Sequence, residues 1–256
     1  MIDAHCHIDH YKNPITVAEE AERHGIITIA VTNLPSHFER IYPYFRKFKK
    51  IRLALGFHPQ SARQSETERT IFERMVSKTS YIGEIGLDFS NENKLSKNSQ
   101  IETLKFIFSN IKDRPRFITL HARKAESVVL ALLEEFNIES CIFHWYSGPL
   151  TILEQAIESG HYFSINHAMT RSNKGRQIIR AIAIDHILTE TDGPYIKLGN
   201  REVMPTDISS LLIALKDIYG LPLKEIEEHI NSNFKRLIST IKLFNPNKHS
   251  PPHQDD

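Results

Sequence analysis

The chain has 256 residues, and its 32 lysines and arginines nearly balance its 31 aspartates and glutamates, so the formal net charge is +1. This balance argues against a protein coated in positive charge for non-specific duplex binding, although it is compatible with a local phosphate-binding cleft. Apolar residues make up 40% of the chain, and no apolar run approaches the roughly 18 residues of a membrane span. The start of the chain also lacks the basic segment and long apolar run of a signal peptide.

Eight short apolar or β-rich runs alternate with amphipathic stretches along most of the chain. The predicted strands are 1–5, 27–31, 51–55, 81–84, 117–120, 141–143, 162–165 and 187–189. The helices predicted between them are 17–24, 38–49, 66–78, 100–112, 123–135, 149–158 and 175–184. Three more helices are predicted after the last strand, near 207–219, 222–230 and 232–243.

The alternation of strands and helices predicts βαβ units with a parallel sheet. Eight repeats in a chain of this length are typical of a (β/α)8 TIM barrel, and no linker divides the chain, so we predict one α/β barrel domain over residues 1–244. A doubly wound sheet is the alternative, but the Gly-rich phosphate fingerprint that usually follows its first strand is absent. Residues 245–256 are polar and contain proline, which predicts a disordered tail.

Two histidines, His5 and His7, stand two residues apart at the end of the first predicted strand. On an extended strand, residues i and i+2 point to the same side, so both imidazoles would project together while Cys6 faces the other way. Neutral imidazoles on one face can bind a single metal ion. Cys6 and the other cysteine, Cys141, both lie in strand-like segments, and we interpret them as reduced thiols of a cytosolic protein.

The chain contains 14 histidines, and several stand with carboxylates where predicted strands end. These strand-end residues are His5, His7, His58, Glu84, Asp88, His121, His144 and Asp192. In a (β/α)8 barrel the C-terminal ends of the strands form one mouth, where the chemistry takes place. Mixed nitrogen and oxygen ligands suit Zn, Mn or similar divalent ions. Each of these residues, taken alone, could instead have a structural role in a turn, a helix cap or an ion pair. The metal site is favoured because all of them are predicted at the same edge of the barrel.

Six short motifs carry a resemblance to a known family. They are Asp-Ala-His-Cys-His at 3–7, Gly-Phe-His-Pro at 56–59, Ile-Gly-Glu-Ile-Gly-Leu-Asp at 82–88, Leu-His-Ala-Arg at 120–123, His-Trp-Tyr-Ser-Gly at 144–148 and Glu-Thr-Asp-Gly-Pro-Tyr at 190–195. In this order they resemble the motifs of the TatD family of metal-dependent deoxyribonucleases, within the amidohydrolase-like superfamily. The resemblance covers the predicted domain and implies a (β/α)8 barrel that hydrolyses DNA with two divalent metal ions, which would be Zn, Mg or Mn.

The resemblance also implies which residues hold the metals. They would be His5, His7, Glu84 and Asp192 for the first ion, and Glu84, His121 and His144 for the second. Glu84 would thus bridge the two ions and act with Asp192 in catalysis. Related amidohydrolases often use a carbamylated lysine as the bridge, so a glutamate here favours the nuclease branch. Asp192 would also orient the attacking water and act as general base.

Other residues near these motifs are predicted to contact the substrate. They are His58, Arg123, Arg201, Trp145 and Tyr146. The planar fork of an arginine matches the geometry of a phosphate. The two aromatic rings would either stack on a base of single-stranded nucleic acid or pack in the rim of the barrel, and the sequence leaves both interpretations open.

A second set of segments resembles a narrower group. These segments are Leu-Pro at 34–35, Phe-Ser at 163–164, and the stretches 144–148 and 168–176, which are similar to the TatD-like member of Qat-type bacterial anti-phage cassettes. This resemblance implies a role in defence against phage, with partner proteins of the same cassette. The net charge of +1 and the few basic residues predicted at the cleft limit the attraction for a long duplex, so single strands or ends of DNA are the expected substrate. Two alternatives stay open: a small-molecule amidohydrolase acting on an amide, a lactone or a base, and a non-catalytic barrel that serves as a subunit of a complex.

Overall fold

The computed structural model describes residues 1–90, 97–239 and 241 of the chain. A ring of eight parallel strands lies at its centre. The strands are β1 (Ile2–Cys6), β2 (Ile27–Val31), β3 (Ile51–Ala54), β4 (Tyr81–Asp88), β5 (Phe117–Arg123), β6 (Ile142–His144), β7 (Tyr162–Ile165) and β8 (Ile187–Thr189). Their residues are mostly buried, as is typical of parallel strands that are covered on both faces.

The ring consists of two hydrogen-bonded sheets, β1 to β3 and β4 to β8, each in sequence order. One seam between them is joined where Leu55, just after β3, pairs in parallel with Ile82 of β4. The other seam is joined where the Asp192 N–H, just after β8, donates to the His5 carbonyl of β1 at 3.0 Å. The predicted (β/α)8 TIM barrel is therefore confirmed, and the doubly wound alternative is wrong.

Helices cover the outside of the barrel. They are α1 (Pro14–Arg23), α2 (Pro35–Phe45), α3 (Ser65–Met75), α4 (Lys97–Ile111), α5 (Glu126–Glu135), α6 (Leu150–Glu158), α7 (His167–Arg171), α8 (Asn173–Ala181), α9 (Ile208–Tyr219) and α10 (Leu223–Ser239). Apolar side chains such as Phe38 of α2 and Phe108 of α4 are fully buried in one core with the strands. None of the described helices is long and apolar enough to cross a membrane.

Two strands run further than predicted, and the extension matters for the site. β4 ends at Asp88 rather than at Glu84, and β5 ends at Arg123 rather than at Leu120. Both continue because the parallel ladder between them extends to the pair of Asp88 with Arg123. Consequently the side chains of Asp88 and His121 meet at the rim, where Oδ2 and Nε2 are 3.3 Å apart.

The helices near the end of the chain also differ from the prediction. α10 is one continuous helix where two were predicted, because the polar residue Asn233 is buried and donates to the carbonyls of Ile184 and Ile187 at 2.8 Å each. Two helices, α7 and α8, occupy the region where only the helix 175–184 was predicted, since the Ser172 side chain caps α8 by accepting from the Gly175 N–H.

A short antiparallel hairpin, absent from the prediction, follows β8. Its strands are β9 (Lys197–Leu198) and β10 (Arg201–Glu202). The predicted disordered tail at 245–256, and with it the domain boundary at residue 244, lies outside the described residues.

Candidate metal centre

A cleft of about 570 Å³ opens at the C-terminal ends of the barrel strands. Six strand ends each place a histidine or a carboxylate in its wall: His7, His58, Glu84, His121, His144 and Asp192. Residues far apart in the sequence meet here because all the parallel strands end at the same rim. The barrel thus brings the predicted metal-ligating residues together, with His5 buried just beneath them.

Four potential ligand atoms form what we call the inner group. They are Nε2 of His5, Nε2 of His7, Oε2 of Glu84 and Oδ1 of Asp192. The distances from the two histidine nitrogens to each other and to the two carboxylate oxygens run from 3.2 Å, between His7 and Glu84, to 3.9 Å, between His5 and Asp192. Ligands about 2.0–2.2 Å from one tetrahedral ion are about 3.3–3.6 Å apart. Both histidines therefore stand close to ligand spacing from each other and from the two carboxylates.

Three further atoms form the outer group: Oε1 of Glu84, Nδ1 of His121 and Nε2 of His144. Oε1 is 2.9 Å from the His121 nitrogen and 3.0 Å from the His144 nitrogen, and these two nitrogens are 3.4 Å apart. His58, which was predicted to contact substrate, points its Nε2 at the same oxygen from 3.5 Å. This group has ligand spacing as well, and His58 is within reach of it.

Glu84 stands between the two groups and turns one carboxylate oxygen towards each. The preceding glycine makes this position possible. Gly83 has a φ of +154°, which L side chains rarely adopt, and a Cβ there would lie 2.2 Å from Cγ2 of Thr119. The ladder between β4 and β5 also shifts between Ile82 and Ile85. This local irregularity aims Glu84 into the mouth of the barrel.

The histidine rings are oriented by Thr119, which the sequence did not single out, and by Asp88, a strand-end residue to which the sequence assigned no role. Thr119 Oγ1 is 2.7 Å from Nδ1 of His5, so that Nε2 of this ring faces the centre. Asp88 approaches the far nitrogen of His121 at 3.3 Å, and such carboxylate partners fix the tautomer of a ligating histidine. Asp88 had a usable signal, because it follows Glu84 by four residues and therefore lies on the same face of an extended strand.

A second supporting carboxylate, Glu190, is fully buried behind His144. Its Oε1 lies 3.6 Å from Nδ1 of His144 and accepts a hydrogen bond from the Asn166 amide at 2.8 Å. Its other oxygen accepts from the Ser164 hydroxyl. These bonds hold the carboxylate beside the imidazole, and the only sequence signal for it was its place two residues before Asp192 in the last motif.

The electrostatics of the two central carboxylates differ. Burial would raise the pKa of Glu84, but the facing histidines His58, His144 and His121 hold it well below its usual range. Burial raises the pKa of Asp192 well above its ordinary value, with Glu84 contributing in the same direction. Glu84 is therefore firmly ionised, whereas Asp192 binds a proton more readily than an exposed aspartate.

The donor set fits divalent metal ions. Arg123 is the only lysine or arginine among the described residues that line the cleft. The buried carboxylates of Glu84 and Asp192 therefore face imidazoles rather than fixed cations, and buried charges normally need a partner of opposite charge. Imidazole and carboxylate together are the ligands of Zn, Mn and similar ions. A metal in either group would supply the positive charge that the side chains lack.

The residues predicted to contact the substrate have different positions. Arg123 and Trp145 line the cleft, and the Trp145 side chain is exposed, with 37% of its surface accessible. Tyr146 is 2% exposed, donates to the Pro149 carbonyl at 2.7 Å and packs edge-on against Phe163. The prediction that Tyr146 stacks on a base is wrong, because its ring faces the core.

Arg201 also differs from the prediction. It lies on β10 and is not among the described residues that line the cleft. Its guanidinium makes two hydrogen bonds of 2.7 Å to the Asp207 carboxylate. The predicted contact of Arg201 with a phosphate is therefore wrong, because its guanidinium is already bound to the Asp207 carboxylate.

A family model identifies the family of this chain. A family model described as TatD-related DNase matches residues 2–239. The chain belongs to the TatD family. Deoxyribonuclease TATDN3 of Homo sapiens is 24% identical to this TatD protein in an alignment of 264 positions, gaps included, that covers 94% of this chain and 96% of the relative. An uncharacterised metal-dependent hydrolase of Methanocaldococcus jannaschii is 25% identical, covering 95% of this chain and 96% of the relative.

Solved structures support the fold of this TatD protein. A TatD homologue from Escherichia coli K12 superposes with a TM-score of 0.84 at 21% identity, covering 93% of this chain and 97% of that one. A TatD-family hydrolase from Entamoeba histolytica superposes with a TM-score of 0.75 at 20% identity. With the family match and the ligand groups at the strand ends, the chain is a metal-dependent hydrolase.

Proposed function

We propose that this TatD protein hydrolyses phosphodiester bonds in DNA with two divalent ions that share Glu84. The observation that carries the proposal is that the two oxygens of Glu84 face separate groups of ligand atoms, at 3.2 Å from His7 on one side and 2.9 Å from His121 on the other. Paired ions about 3.5–4 Å apart are a common solution for displacement at phosphorus. The name of the human relative, a deoxyribonuclease, supports DNA as the substrate.

The inner group would hold one ion and the outer group the other. The identity of the ions is open to Zn, Mn and Mg, with the high share of imidazole nitrogens favouring Zn or Mn. When bound, the ions would activate a water molecule and neutralise charge on the phosphate. The protein's own contribution is to fix the ligands before substrate arrives, through the Thr119, Asp88 and Glu190 contacts to the histidine rings.

Asp192 is the proposed general base. It lies in the cleft wall, with Oδ1 at 3.7 Å from Nε2 of His7. A carboxylate at this position can accept a proton from an attacking water. Glu84 is less suited to this task, because its two oxygens face the two ligand groups. We therefore assign Glu84 to bridging and Asp192 to proton transfer.

Three side chains at the rim would bind the substrate. The Arg123 guanidinium is exposed and follows His121 by two positions, so it can pair with a phosphate oxygen beside the outer group. His58 lines the same cleft, with Nε2 3.5 Å from Oε1 of Glu84 in the outer group. The exposed ring of Trp145 offers a surface for base stacking. A cleft with a single arginine contacts few phosphates and gains little from counterion release. The preferred substrate is therefore a single strand or a DNA end rather than a long duplex.

The size of the cleft favours one competing function. A volume of about 570 Å³ is also ordinary for a small-molecule pocket, which typically measures roughly 300–1,000 Å³. A small-molecule amidohydrolase could use the same ligand groups to cleave an amide or a lactone. A catalytically idle barrel is less favoured, because potential ligand atoms stand on both sides of Glu84, at 3.2 Å in the inner group and at 2.9 and 3.0 Å in the outer group.

Digestion of end-labelled substrates tests the proposal directly. We expect the metal-loaded protein to shorten single-stranded DNA from an end, to act more slowly on blunt duplex, and to stop when a chelator is added. Glu84→Gln should abolish cleavage, while Glu202→Gln, which alters an exposed glutamate on β10, should cleave at the wild-type rate. Hydrolysis of small amides or lactones without any cleavage of DNA would replace the nuclease by the amidohydrolase.

We also propose a cytosolic role in defence against phage, assisted by other proteins of a Qat-type cassette. This step rests on the similarity of the segments at 34–35, 144–148, 163–164 and 168–176 to the TatD-like member of such cassettes. The barrel attracts duplex DNA only weakly, so partner proteins would be needed to bring DNA strands to its cleft. A plaque assay should show that a cassette carrying His5→Ala and His7→Ala no longer protects. Full protection by this double variant would assign the barrel a non-catalytic role.

A further inference from the structure

A third cluster of metal-ligating side chains lies beside the inner group, and neither of the two proposed ions uses it. Asp9 and His10 belong to a short 3-10 helix, Ile8–His10, that follows β1, and His37 lies in the first turn of α2. Nε2 of His10 is 3.8 Å from Oδ2 of Asp9, and Nδ1 of His37 is 4.0 Å from the same oxygen. Two imidazoles thus approach one carboxylate from two different elements.

These separations are too long for hydrogen bonds, which span about 2.7–3.2 Å between nitrogen and oxygen. They are slightly longer than the roughly 3.3–3.6 Å between two donors of one tetrahedral ion, so a shared ion would draw the three side chains closer together. His7, whose Nε2 belongs to the inner group, adjoins this cluster: one ligand atom each of His7, Asp9 and His10 lie within 4.8 Å of one another.

Polar atoms in this cluster lack the partners that their burial calls for. The Asp9 side chain is 4% exposed, and its Oδ1 has no hydrogen-bond partner. Nδ1 of His7 and Nδ1 of His37 are also buried without one. Ion pairs of 3.8 and 4.0 Å join Asp9 to His10 and His37, and His7 and Arg40 are near enough to favour its charged form. A buried carboxylate is unfavourable unless it is paired or ligates a metal.

We propose that Asp9, His10 and His37 form a third divalent-cation site, beside the two-ion centre and independent of it. Two imidazole nitrogens and one carboxylate are the ligands of a borderline ion such as Zn²⁺ or Mn²⁺. Asp9 and His10 lie in the short helix that follows β1, and His37 lies at the start of α2. The packing of these two elements sets the spacing of the three residues. The site requires no assumption about which substrate the enzyme cleaves.

The position of this site suggests what the ion contributes. The hydroxyl of Tyr195 is 2.6 Å from Nδ1 of His10, and Tyr195 lines the cleft together with His7 and Asn33. That wall contains no lysine or arginine among its described residues, whereas Arg123 stands on another part of the rim. A third ion places positive charge behind this wall and thereby attracts a polyanionic substrate.

Zinc titration of the metal-free full-length protein tests the site, with bound metal counted by mass spectrometry. We expect three ions per chain in the wild type and two in both Asp9→Asn and the double variant His10→Ala/His37→Ala. Asp9→Asn preserves the shape of the side chain, so it separates lost ligation from lost folding. His229→Ala, which removes a histidine of α10 that is outside the cluster, should keep three ions and serves as the matched control.

Two results would overturn the proposal. One is a wild-type protein that binds two ions and loses none in Asp9→Asn. The other is a fall from two ions to one in Asp9→Asn, which would mean that Asp9 acts only by orienting His7. Adding Asp9→Asn to a Glu84→Gln protein separates this site from the two-ion centre, because the Asp9-dependent ion should be lost there as well. Anomalous scattering from zinc-soaked crystals should independently show a peak between Asp9, His10 and His37.

Discussion

The inner and outer groups of the metal centre share Glu84 but differ in their surroundings. In the inner group the side chains of His5 and His7 are 0% and 2% exposed, whereas His121 in the outer group is 18% exposed. The inner group lies at the seam between β1 and β8, where the His7 N–H donates to the Gly193 carbonyl at 2.8 Å. The outer group stands on β4, β5 and the end of β6; His121 faces the open cleft, whereas His144 is only 6% exposed.

This difference assigns separate tasks to the two groups. Ligands that are buried and held by backbone hydrogen bonds are preorganised, so the inner ion should bind tightly and exchange slowly. Ligands on an exposed rim leave room for water or a phosphate oxygen, so the outer ion should bind more weakly and meet the substrate. Substitutions that act on one group at a time test whether the two groups have these separate tasks.

Among substitutions that act on one group at a time, Asp192→Asn should have the largest effect, because it removes both an inner ligand and the proposed base. We expect the rate of DNA cleavage to fall by about 10²- to 10⁴-fold, the usual contribution of general acid–base catalysis. The circular dichroism spectrum and the melting temperature should stay close to those of the wild type. A rate within a few-fold of wild type at equal metal occupancy would remove Asp192 from the mechanism.

Asp88→Asn should act on the outer group alone. Loss of the carboxylate behind His121 should weaken binding of the outer ion by about 10- to 100-fold, as is usual for partners that orient a ligating histidine. Calorimetric titration with Mn²⁺ should then show one unchanged tight site and one weakened site. Asp113→Asn, an exposed aspartate in the loop before β5, is the control. Equal weakening of both sites would contradict the separation of the two groups.

The histidines of the two candidate ligand groups were predictable, whereas the contacts that orient their rings were not. His5, His7, His121 and His144 follow from strand ends and motifs, since a barrel must bring those ends to one rim. The partnership of Asp88 with His121 depends on the last residues of β4 and β5, which pair only because their ladder continues beyond the apolar runs. Strand termini of this kind are set by tertiary pairing rather than by local composition.

The orientation of the two neighbouring aromatic residues at the rim could not be predicted from the sequence either. Trp145 and Tyr146 are adjacent, and the sequence offered no way to say which of them faces outwards. In the structure Trp145 has a φ of +41°, which turns the chain just after β6, and its N–H donates to Glu190 at 3.1 Å. This turn exposes Trp145 and buries Tyr146. A backbone conformation held by a distant buried carboxylate cannot be inferred from the neighbouring residues.

Arg123→Ala should produce an intermediate effect that is confined to the substrate. A charge-assisted hydrogen bond contributes about 1.5–3 kcal/mol, so we expect KM for single-stranded DNA to rise by about 10-fold or more while kcat changes little. The metal content should stay at the wild-type value, and the dependence of KM on salt should become less steep. Arg180→Ala, an exposed residue of α8, should leave all three quantities unchanged. Loss of metal in Arg123→Ala would instead assign this residue to the metal centre.

Substitutions at the aromatic pair should have the smallest effects on the chemistry. Tyr146→Phe removes the hydrogen bond to the Pro149 carbonyl and should lower the free energy of unfolding by about 1 kcal/mol without changing cleavage. Trp145→Ala should leave stability nearly unchanged and weaken binding of single-stranded DNA by about 1–3 kcal/mol. Denaturant unfolding and fluorescence binding measurements check both variants. The reverse pattern would mean that Tyr146, not Trp145, meets the substrate.

The central claim is that one glutamate joins two ions, and electron paramagnetic resonance of the Mn²⁺-loaded protein tests it most directly. Ions bridged by Glu84 are close enough for their spins to couple, so the wild type should give the broad spectrum of an exchange-coupled pair. Glu84→Gln should lose that signal and retain at most the six-line spectra of isolated ions. A wild-type protein with two tightly bound Mn²⁺ ions and only uncoupled six-line spectra would contradict the account.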